Sequence, residues 1–158
     1  RLPQGVRVIA LHGLPRTIAA LVKSPQLFAE RCSAAGLLSQ PISADDWLLP
    51  PRASDASVSL GEQVAGAGWI AVGDAALSFD PLSSQGVLFA LYSGIRAAEA
   101  IVSCLERPDC SGRWLDEYAA RVRSVLLANQ RSRKLLYGSE LRYPGEDYWR
   151  QQRESCGP

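Results

Sequence analysis

The stretch from Trp69 to Glu99 constrains the fold most strongly; it reads WIAVGDAALSFDPLSSQGVLFALYSGIRAAE. Its first four residues are an apolar run between glycines, which predicts a short buried strand. Residues 73–86 hold two aspartates, a proline and three serines, and this composition predicts a turn-rich loop. Residues 87–105 predict a long apolar helix. A strand, a loop and a helix start in this order can present backbone N–H groups to an electron-rich ligand.

The remaining elements follow from apolar spacing and from Pro and Gly positions. In chain order they are a strand at 6–11; a helix at 17–22, with a continued strand as the alternative; a helix at 25–35 with Ser24 as its cap and Gly36 past its end; short extended segments at 37–42 and 47–49; an extended crossing segment within 52–68; a helix at 114–136; and irregular chain at 143–158.

Composition limits the kind of partner. The 158 residues are 47% hydrophobic and 21% charged, which is typical of a soluble globular chain, and the net charge of +1 favours neither nucleic acid nor an anionic membrane. We expect neither a membrane-spanning segment nor a signal peptide, because we identify no apolar run of the length that a bilayer requires. The chain therefore predicts a soluble protein without nucleic-acid or membrane partners.

Metal binding and disulfide bonding are also disfavoured. Cys32, Cys104, Cys110 and Cys156 show neither C-x-x-C pairing nor zinc spacing, so we expect free thiols in a reducing compartment, the cytoplasm. His12 is the single histidine and is interpreted as a strand-end residue rather than a base. One histidine cannot form a His-dependent metal cluster and makes a Ser-His-Asp triad improbable. We predict no metal site.

The segment GDAALSFDPLSSQG at 73–86 resembles the second flavin motif of FAD-dependent aromatic hydroxylases and flavin-dependent halogenases. Its second half, Asp-Pro-Leu-Ser-Ser-Gln-Gly, is similar to the halogenase-like branch. That branch includes flavoproteins that modify peptide side chains during quinoprotein maturation. A looser similarity runs from Ser54 to Glu99 and recurs around Tyr148 to Arg153.

The resemblance implies a mixed α/β (α+β) fold: the C-terminal part of a glutathione-reductase-like FAD-binding fold, with the end of a substrate-binding sheet. Residues 1–53 would end the substrate-binding portion, 54–106 would belong to the FAD-binding portion, and 107–158 would form a C-terminal helical extension. The family's N-terminal strand–GxGxxG–helix unit is not visible, since Gly66-Ala-Gly68 precedes a strand and has no third glycine at the required offset. Together with the start at Arg1 and the lack of Met, this suggests a fragment of a larger flavoprotein.

Five residues become candidates for cofactor binding through the resemblance: Gly73, Asp74, Pro81, Gly86 and Val87. The aspartate would bind the ribityl chain of FAD, with a turn cap as the alternative role. The proline would lie against the isoalloxazine, with a simple turn proline as the alternative. Gly86 and Val87 would offer N–H groups to the N1–C2=O edge of the flavin, where negative charge builds on reduction.

Two polar loop residues, Ser84 and Gln85, are the candidate catalytic residues. With Ser83 they could bind water, halide or substrate; the alternative is that they are polar residues facing solvent. Asp80 precedes a proline, and we interpret it as a structural turn residue rather than a residue of the site.

The activity implied is that of an FAD-dependent monooxygenase. Flavin reduced by NAD(P)H or by a partner reductase would form a C4a-peroxide and oxygenate an aromatic or peptide-borne side chain of a small-molecule or peptide substrate. The alternatives are a halogenase or a flavin-dependent reductase on the same scaffold, and a non-catalytic remnant that cannot hold FAD alone. Halogenation is disfavoured because tryptophan halogenases have glutamate where this chain has Ser83, and because the lysine typical of that family lies in the N-terminal part, which is not visible here. Phenol-directed relatives with serines in this loop keep halogenation open as an alternative.

Overall fold

A computed structural model describes residues 6–36, 38 and 40–155. The chain divides into two compact units, one ending at Asp55 and one starting at Ala56. Helices and short antiparallel strands make up its regular structure, which confirms the mixed fold class at this coarse level. The three predicted segments and the roles assigned to them stay a prediction.

The first unit contains two short helices, α1 (Pro15–Lys23) and α2 (Pro25–Ala34). Each begins with a proline, whose fixed φ suits the first helical position. Ser24 caps α2 by accepting a hydrogen bond from the Leu27 N–H at 3.3 Å. Both predicted helices are therefore confirmed, and Gly36 follows α2 with φ +65°.

A small apolar cluster holds this unit together. Leu21, Phe28 and Cys32 are buried in it, and the rings of Phe28 and Trp47 stack with centroids 5.2 Å apart. A 3-10 turn at Ala44–Asp46 leads into Trp47. The stacked aromatic pair connects the turn to α2.

The strand predicted at 6–11 is wrong: residues 6–14 form no regular strand, and the described part of this unit holds no end of a sheet. In the extended segment predicted at 47–49, Trp47 has an extended backbone (φ −75°, ψ 119°), whereas residues 48 and 49 lie in a bend. Apolar, β-branched composition favours a strand only where a partner strand satisfies the backbone groups, and none is present in this described part. The extended segment predicted at 37–42 falls partly outside the described residues, since 37 and 39 are among those not described.

The second unit opens with two antiparallel ladders. β1 (Ser59–Leu60) pairs with β4 (Leu77–Ser78), and β2 (Ala65–Gly66) pairs with β3 (Trp69–Ile70). The predicted strand at 69–72 is thus two residues long. Gly66-Ala-Gly68 closes the hairpin between β2 and β3, with Gly68 at φ +82°. The rejection of this glycine pair as a dinucleotide fingerprint is confirmed.

Three helices complete the unit: α3 (Gly86–Glu106), α4 (Ser111–Ser139) and α5 (Asp147–Ser155). The first two confirm the helices predicted at 87–105 and 114–136. The irregular chain predicted at 143–158 is wrong for the residues of α5. Pro144 and Gly145 were interpreted as signs of a loop, yet Asp147 in the first turn and Arg153 in the last turn of α5 both favour a helix by its dipole.

The core of this unit lies between the ladders, α3 and α4. Its buried residues are Val64, Ala76, Leu77, Phe79, Phe89, Ala97, Ala100, Tyr118 and Val122. The rings of Phe79 and Phe89 meet edge to face with centroids 5.1 Å apart. This contact packs the middle of the segment 73–86, just after β4, against α3.

The two faces of α3 differ in exposure. Phe89, Ser93, Ala97 and Ala100 are buried, whereas Val87, Leu88, Leu91 and Leu105 on other faces are 65–79% exposed. By length and composition alone this helix could cross a membrane, a test that core helices of water-soluble proteins also pass. The expectation that no apolar run is long enough to span a bilayer is therefore wrong for α3.

Candidate functional site

The loop at 73–86 begins by packing on the helix that it later enters. Gly73 has φ +56°, and its N–H donates to Ser93 Oγ at 2.9 Å. A Cβ added to Gly73 would lie 3.3 Å from the Cβ of Ala90. Glycine is required here by both the left-handed backbone and the close approach to α3. The start of the loop is thereby fixed beside the second and third turns of α3.

The middle of the loop is fixed by Asp80, which is 7% exposed. Its Oδ1 accepts a hydrogen bond from the Leu82 N–H at 2.9 Å, and its Oδ2 accepts one from the Tyr137 hydroxyl at 2.5 Å. Arg133 Nε lies 3.4 Å from the same Oδ2, as an ion pair without hydrogen-bond geometry. The structure agrees with the structural interpretation of Asp80, and adds two partners that sequence analysis missed.

The end of the loop contains a strained residue. Ser84 has φ +51° and ψ 22°, and among the described residues it alone combines a positive φ with a side chain. A left-handed conformation costs a non-glycine residue about 1–2 kcal/mol. Such residues concentrate at functional sites. The Ser84 N–H donates to the Pro81 carbonyl at 3.2 Å, which closes the 3-10 turn at Pro81–Ser83.

The start of α3 presents free N–H groups. The first amides of a helix, here those of Gly86, Val87 and Leu88, have no partner within it, and no side chain caps this one. A Cβ added to Gly86 would meet nothing within 4 Å, and Val87 is 79% exposed. This end of the helix is open and electropositive.

The candidate residues that carry side chains are exposed. They are Asp74, Pro81, Ser84, Gln85 and Val87. Asp74 lies in the 3-10 turn Gly73–Ala75, and its carboxylate has no hydrogen bond or ion pair to any described residue. The turn is held on α3 by the contact between Gly73 and Ala90, one helical turn beyond Gly86. The fold thus brings the first and last candidates to the same end of α3, while their roles toward a flavin stay predictions.

Two tyrosines of α4, a helix that lies outside the loop in sequence, donate hydrogen bonds to the loop or to the residues just before it. Tyr118 donates its hydroxyl to the Ala71 carbonyl at 2.6 Å, just before the loop, and Tyr137 donates to Asp80 within it. Burial raises the pKa of both hydroxyls, and for Tyr137 the hydrogen bond to the Asp80 carboxylate raises it further. Both groups therefore stay protonated and act as donors. Sequence analysis missed them, although Tyr118, Val122 and Tyr137 all lie on the buried face of α4.

Other candidate chemistry is sparse in the described ranges. No group of three His, Cys, Asp or Glu side chains among them could hold a metal ion. Cys32, Cys104 and Cys110 are free, and Cys156 lies outside the described residues. His12 is exposed and follows irregular chain rather than a strand.

Comparisons with known proteins point to one class, the FAD-dependent oxidoreductases. No family model matches the chain. The chain is 36% identical to "Putative FAD-dependent oxidoreductase LodB" of Marinomonas mediterranea over 81 residues, which cover 51% of this chain and 20% of that protein. It is 45% identical to the digeranylgeranylglycerophospholipid reductase of Methanosphaerula palustris over 51 residues, 32% of this chain and 13% of that one.

Two further similarities are to a halogenating enzyme and to a dihydroxylase. The chain is 46% identical over 48 residues to the 1H-pyrrole-2-carbonyl-[peptidyl-carrier protein] brominase of Pseudoalteromonas luteoviolacea, covering 30% of this chain and 12% of that protein. The solved structure of QhpG, a peptidyl tryptophan dihydroxylase essential for tryptophylquinone cofactor biogenesis, superposes with a TM-score of 0.62 at 27% identity. It covers 80% of this chain and 30% of its own length.

These similarities confirm the resemblance to the FAD-dependent monooxygenase and halogenase-like family. Each match is partial. The chain spans only 12–20% of the length of these curated relatives.

Proposed function

We propose that this chain forms one wall of the FAD site in an FAD-dependent monooxygenase with a glutathione-reductase-like fold. The observation that carries the proposal is the open start of α3. Three uncapped N–H groups lie there at the end of a strained loop whose sequence resembles the family's flavin motif. Relatives named as an FAD-dependent oxidoreductase and a dihydroxylase support it.

The residues present fit the cofactor. The Gly86 and Val87 amides would donate to the electron-rich pyrimidine edge of the flavin, and the lack of a Cβ on Gly86 would permit close approach. The unpartnered carboxylate of Asp74 would accept hydrogen bonds from the ribityl hydroxyls. Pro81 would lie against the ring, and Gly73 would keep the loop close enough to α3 to place these groups together.

When bound, FAD supplies the redox and oxygen chemistry, and the protein supplies binding, orientation and electrostatics. The α3 amides hold their direction before any ligand arrives, because they belong to a folded helix. Donors that are already oriented stabilise developing negative charge without reorganising. The contribution of the α3 amides is therefore electrostatic. We propose that the exposed Ser84 and Gln85 contact the substrate beside the flavin.

An aromatic or peptide-borne side chain is the substrate that the comparisons favour. The structural relative is a peptidyl tryptophan dihydroxylase, and one sequence relative is a brominase whose name specifies a pyrrole carried on a protein. The electron donor proposed is NAD(P)H or a partner reductase, and the location proposed is cytoplasmic. The similarity to the brominase supports halogenation as a second candidate. A brominated product that forms only when bromide is present would favour it.

The test compares one substitution at two helix starts. Gly86→Val adds a side chain where the flavin edge would lie, whereas Gly112→Val makes the same change near the start of α4, where an added Cβ also meets nothing within 4 Å. Both substitutions are made in the protein as its gene encodes it. The parent and the two variants are then titrated with FAD, and binding is followed by flavin fluorescence. We expect the first variant alone to bind FAD at least tenfold more weakly, about 1.4 kcal/mol, with an unchanged Tm.

Two outcomes would contradict the proposal. One is a parent protein that purifies colourless and does not quench flavin fluorescence, which would favour the non-catalytic remnant. The other is equal FAD affinity in the parent and in Gly86→Val.

A further inference from the structure

We propose that Tyr137 and Arg133 of α4 are positioning residues: they fix Asp80, and through it they set the direction in which the first amides of α3 point. The inference concerns the loop itself, and it rests on the proposed function only where flavin affinity is the readout.

Asp80 depends on α4 for its position. A carboxylate removed from water needs hydrogen bonds or an opposite charge. Within the loop it receives one, from the Leu82 N–H to Oδ1. The partners of Oδ2 both come from α4: the Tyr137 hydroxyl at 2.5 Å and Arg133 Nε at 3.4 Å. The buried position of Asp80 is therefore maintained by residues more than fifty positions along the chain.

Asp80 is connected to α3 through hydrogen bonds of the loop. The Asp80 carbonyl accepts hydrogen bonds from the Ser83 N–H at 3.0 Å and from Ser83 Oγ at 2.7 Å. That hydroxyl in turn accepts one from the Gln85 N–H at 3.3 Å, and Gln85 immediately precedes α3. Between Asp80 and α3, the loop hydrogen bonds named here therefore end either at Asp80 or at Ser83, which is itself bonded to Asp80. The bond from the Ser84 N–H to the Pro81 carbonyl is the exception.

Arg133 and Tyr137 are themselves held in place by contacts with each other and with α5. Arg133 Nη2 donates to Gln152 Oε1 of α5 at 3.0 Å, and its guanidinium lies over the Tyr137 ring, 5.6 Å from the centroid. The Trp149 ring of α5 lies 5.9 Å from the same ring. The side chains of Arg133 and Asp80 are only 13% and 10% exposed. The two side chains therefore form a buried ion pair rather than a surface contact. Removing one member of such a pair is strongly destabilising.

The test uses two tyrosine-to-phenylalanine variants in the protein as its gene encodes it. Tyr137→Phe removes the hydroxyl that bonds Asp80. Tyr118→Phe is the matched control, because it removes a hydroxyl of the same helix that is equally buried and donates to the Ala71 carbonyl instead. Arg133→Leu is a second variant that leaves the tyrosine in place. Hydrogen exchange of the Leu82, Ser83 and Gln85 amides is followed without FAD, and FAD affinity is measured separately.

We expect Tyr137→Phe and Arg133→Leu to speed exchange of these three amides by about tenfold or more, the scale of one hydrogen bond to a charged group, and to weaken FAD binding. Tyr118→Phe should leave the exchange of these amides near the parent value. Equal acceleration in both tyrosine variants would indicate a general loss of stability and overturn the proposal. Faster exchange with unchanged FAD affinity would also overturn it. A parent that binds no FAD contradicts the proposed function, whereas the exchange data still decide whether α4 fixes the loop.

Discussion

The loop at 73–86 is fixed at two points by two different kinds of interaction. At Gly73 the contacts are neutral: one backbone N–H bonds to Ser93, and the backbone packs on Ala90. At Asp80 the contact is a buried carboxylate facing Tyr137 and Arg133. The first point depends on the lack of a side chain, and the second depends on charge and on a distant helix.

The residues proposed to face the flavin lie beside these two points and are exposed. Gly73 and Asp80 are buried, whereas Asp74 and Pro81, which follow them directly, are open to solvent. In each of these two pairs, the buried residue fixes the loop backbone, and the residue that follows it is open to solvent and to a ligand. Substitutions at the buried positions should therefore cost stability, and substitutions at the exposed positions should cost ligand affinity.

The largest effect is expected at the charged point. Asp80→Ala would leave the Tyr137 hydroxyl and the Arg133 guanidinium buried without their partner, which lowers the free energy of unfolding by about 3–5 kcal/mol. Asp80→Asn keeps the shape and one acceptor, and should lose less. Urea unfolding of both variants measures the difference. A loss below about 1 kcal/mol for Asp80→Ala would mean that the buried pair contributes little to folding.

The neutral point should show the next effect. Gly73→Ala forces a side chain into a left-handed backbone and against Ala90, which lowers the free energy of unfolding by about 2 kcal/mol. Gly94→Ala in α3 is the control: an added Cβ meets nothing within 4 Å there, so the variant should gain about 0.5–1 kcal/mol of helix stability. Thermal unfolding should therefore shift in opposite directions, and a shift of the same sign in both would refute the comparison.

A smaller loss is expected when the partner of the Gly73 amide is removed. Ser93→Ala leaves that buried N–H without an acceptor, which costs about 1–2 kcal/mol. Ser103→Ala is the matched change in the same helix, because within the described part of the chain its hydroxyl bonds only to the Glu99 carbonyl one turn back. Chemical denaturation should show a loss at position 93 and almost none at 103. Equal losses of stability in the two variants would mean that helix propensity, rather than the bond to Gly73, explains the effect.

The smallest effect is a dependence of stability on pH that arises at Glu140, immediately after α4. The Arg142 side chain and then its backbone N–H donate to Glu140 and lower the pKa of that carboxylate to about 2. Because the unfolded value is about 4.3, the folded state binds fewer protons below that pH. The stabilisation is therefore present above about pH 4.3 and is lost as the pH falls toward 2. Arg142→Ala should raise the Glu140 pKa, measured by NMR, without changing FAD affinity at pH 7. An unchanged Glu140 pKa would contradict this assignment.

The helices of this chain could be predicted from sequence because their signals are local. Ser24 and Pro25 mark the start of α2, and the apolar spacing of 87–105 lies within one segment. The strand expected at 6–11 failed because a strand also needs a partner, which its own residues do not reveal. The bond between Tyr137 and Asp80 joins residues 57 positions apart, so no window of sequence around either could indicate it.

The candidate site could be predicted only in outline for the same reason. Its loop and helix start are contiguous, and the glycines and the Asp-Pro pair of 73–86 indicate turns in their own right. What holds the loop is not contiguous. Ser93, Tyr118 and Arg133 carry no local sign of their roles, since each acts through a fold that brings distant segments together.

The most direct test of the account is hydrogen exchange at the start of α3, measured with and without FAD. If the Gly86, Val87 and Leu88 amides face the flavin, FAD should slow their exchange, while the amides of Gly112 and Arg113 near the start of α4 should not change. FAD that binds and leaves the three α3 amides exchanging at their original rate would contradict the central claim.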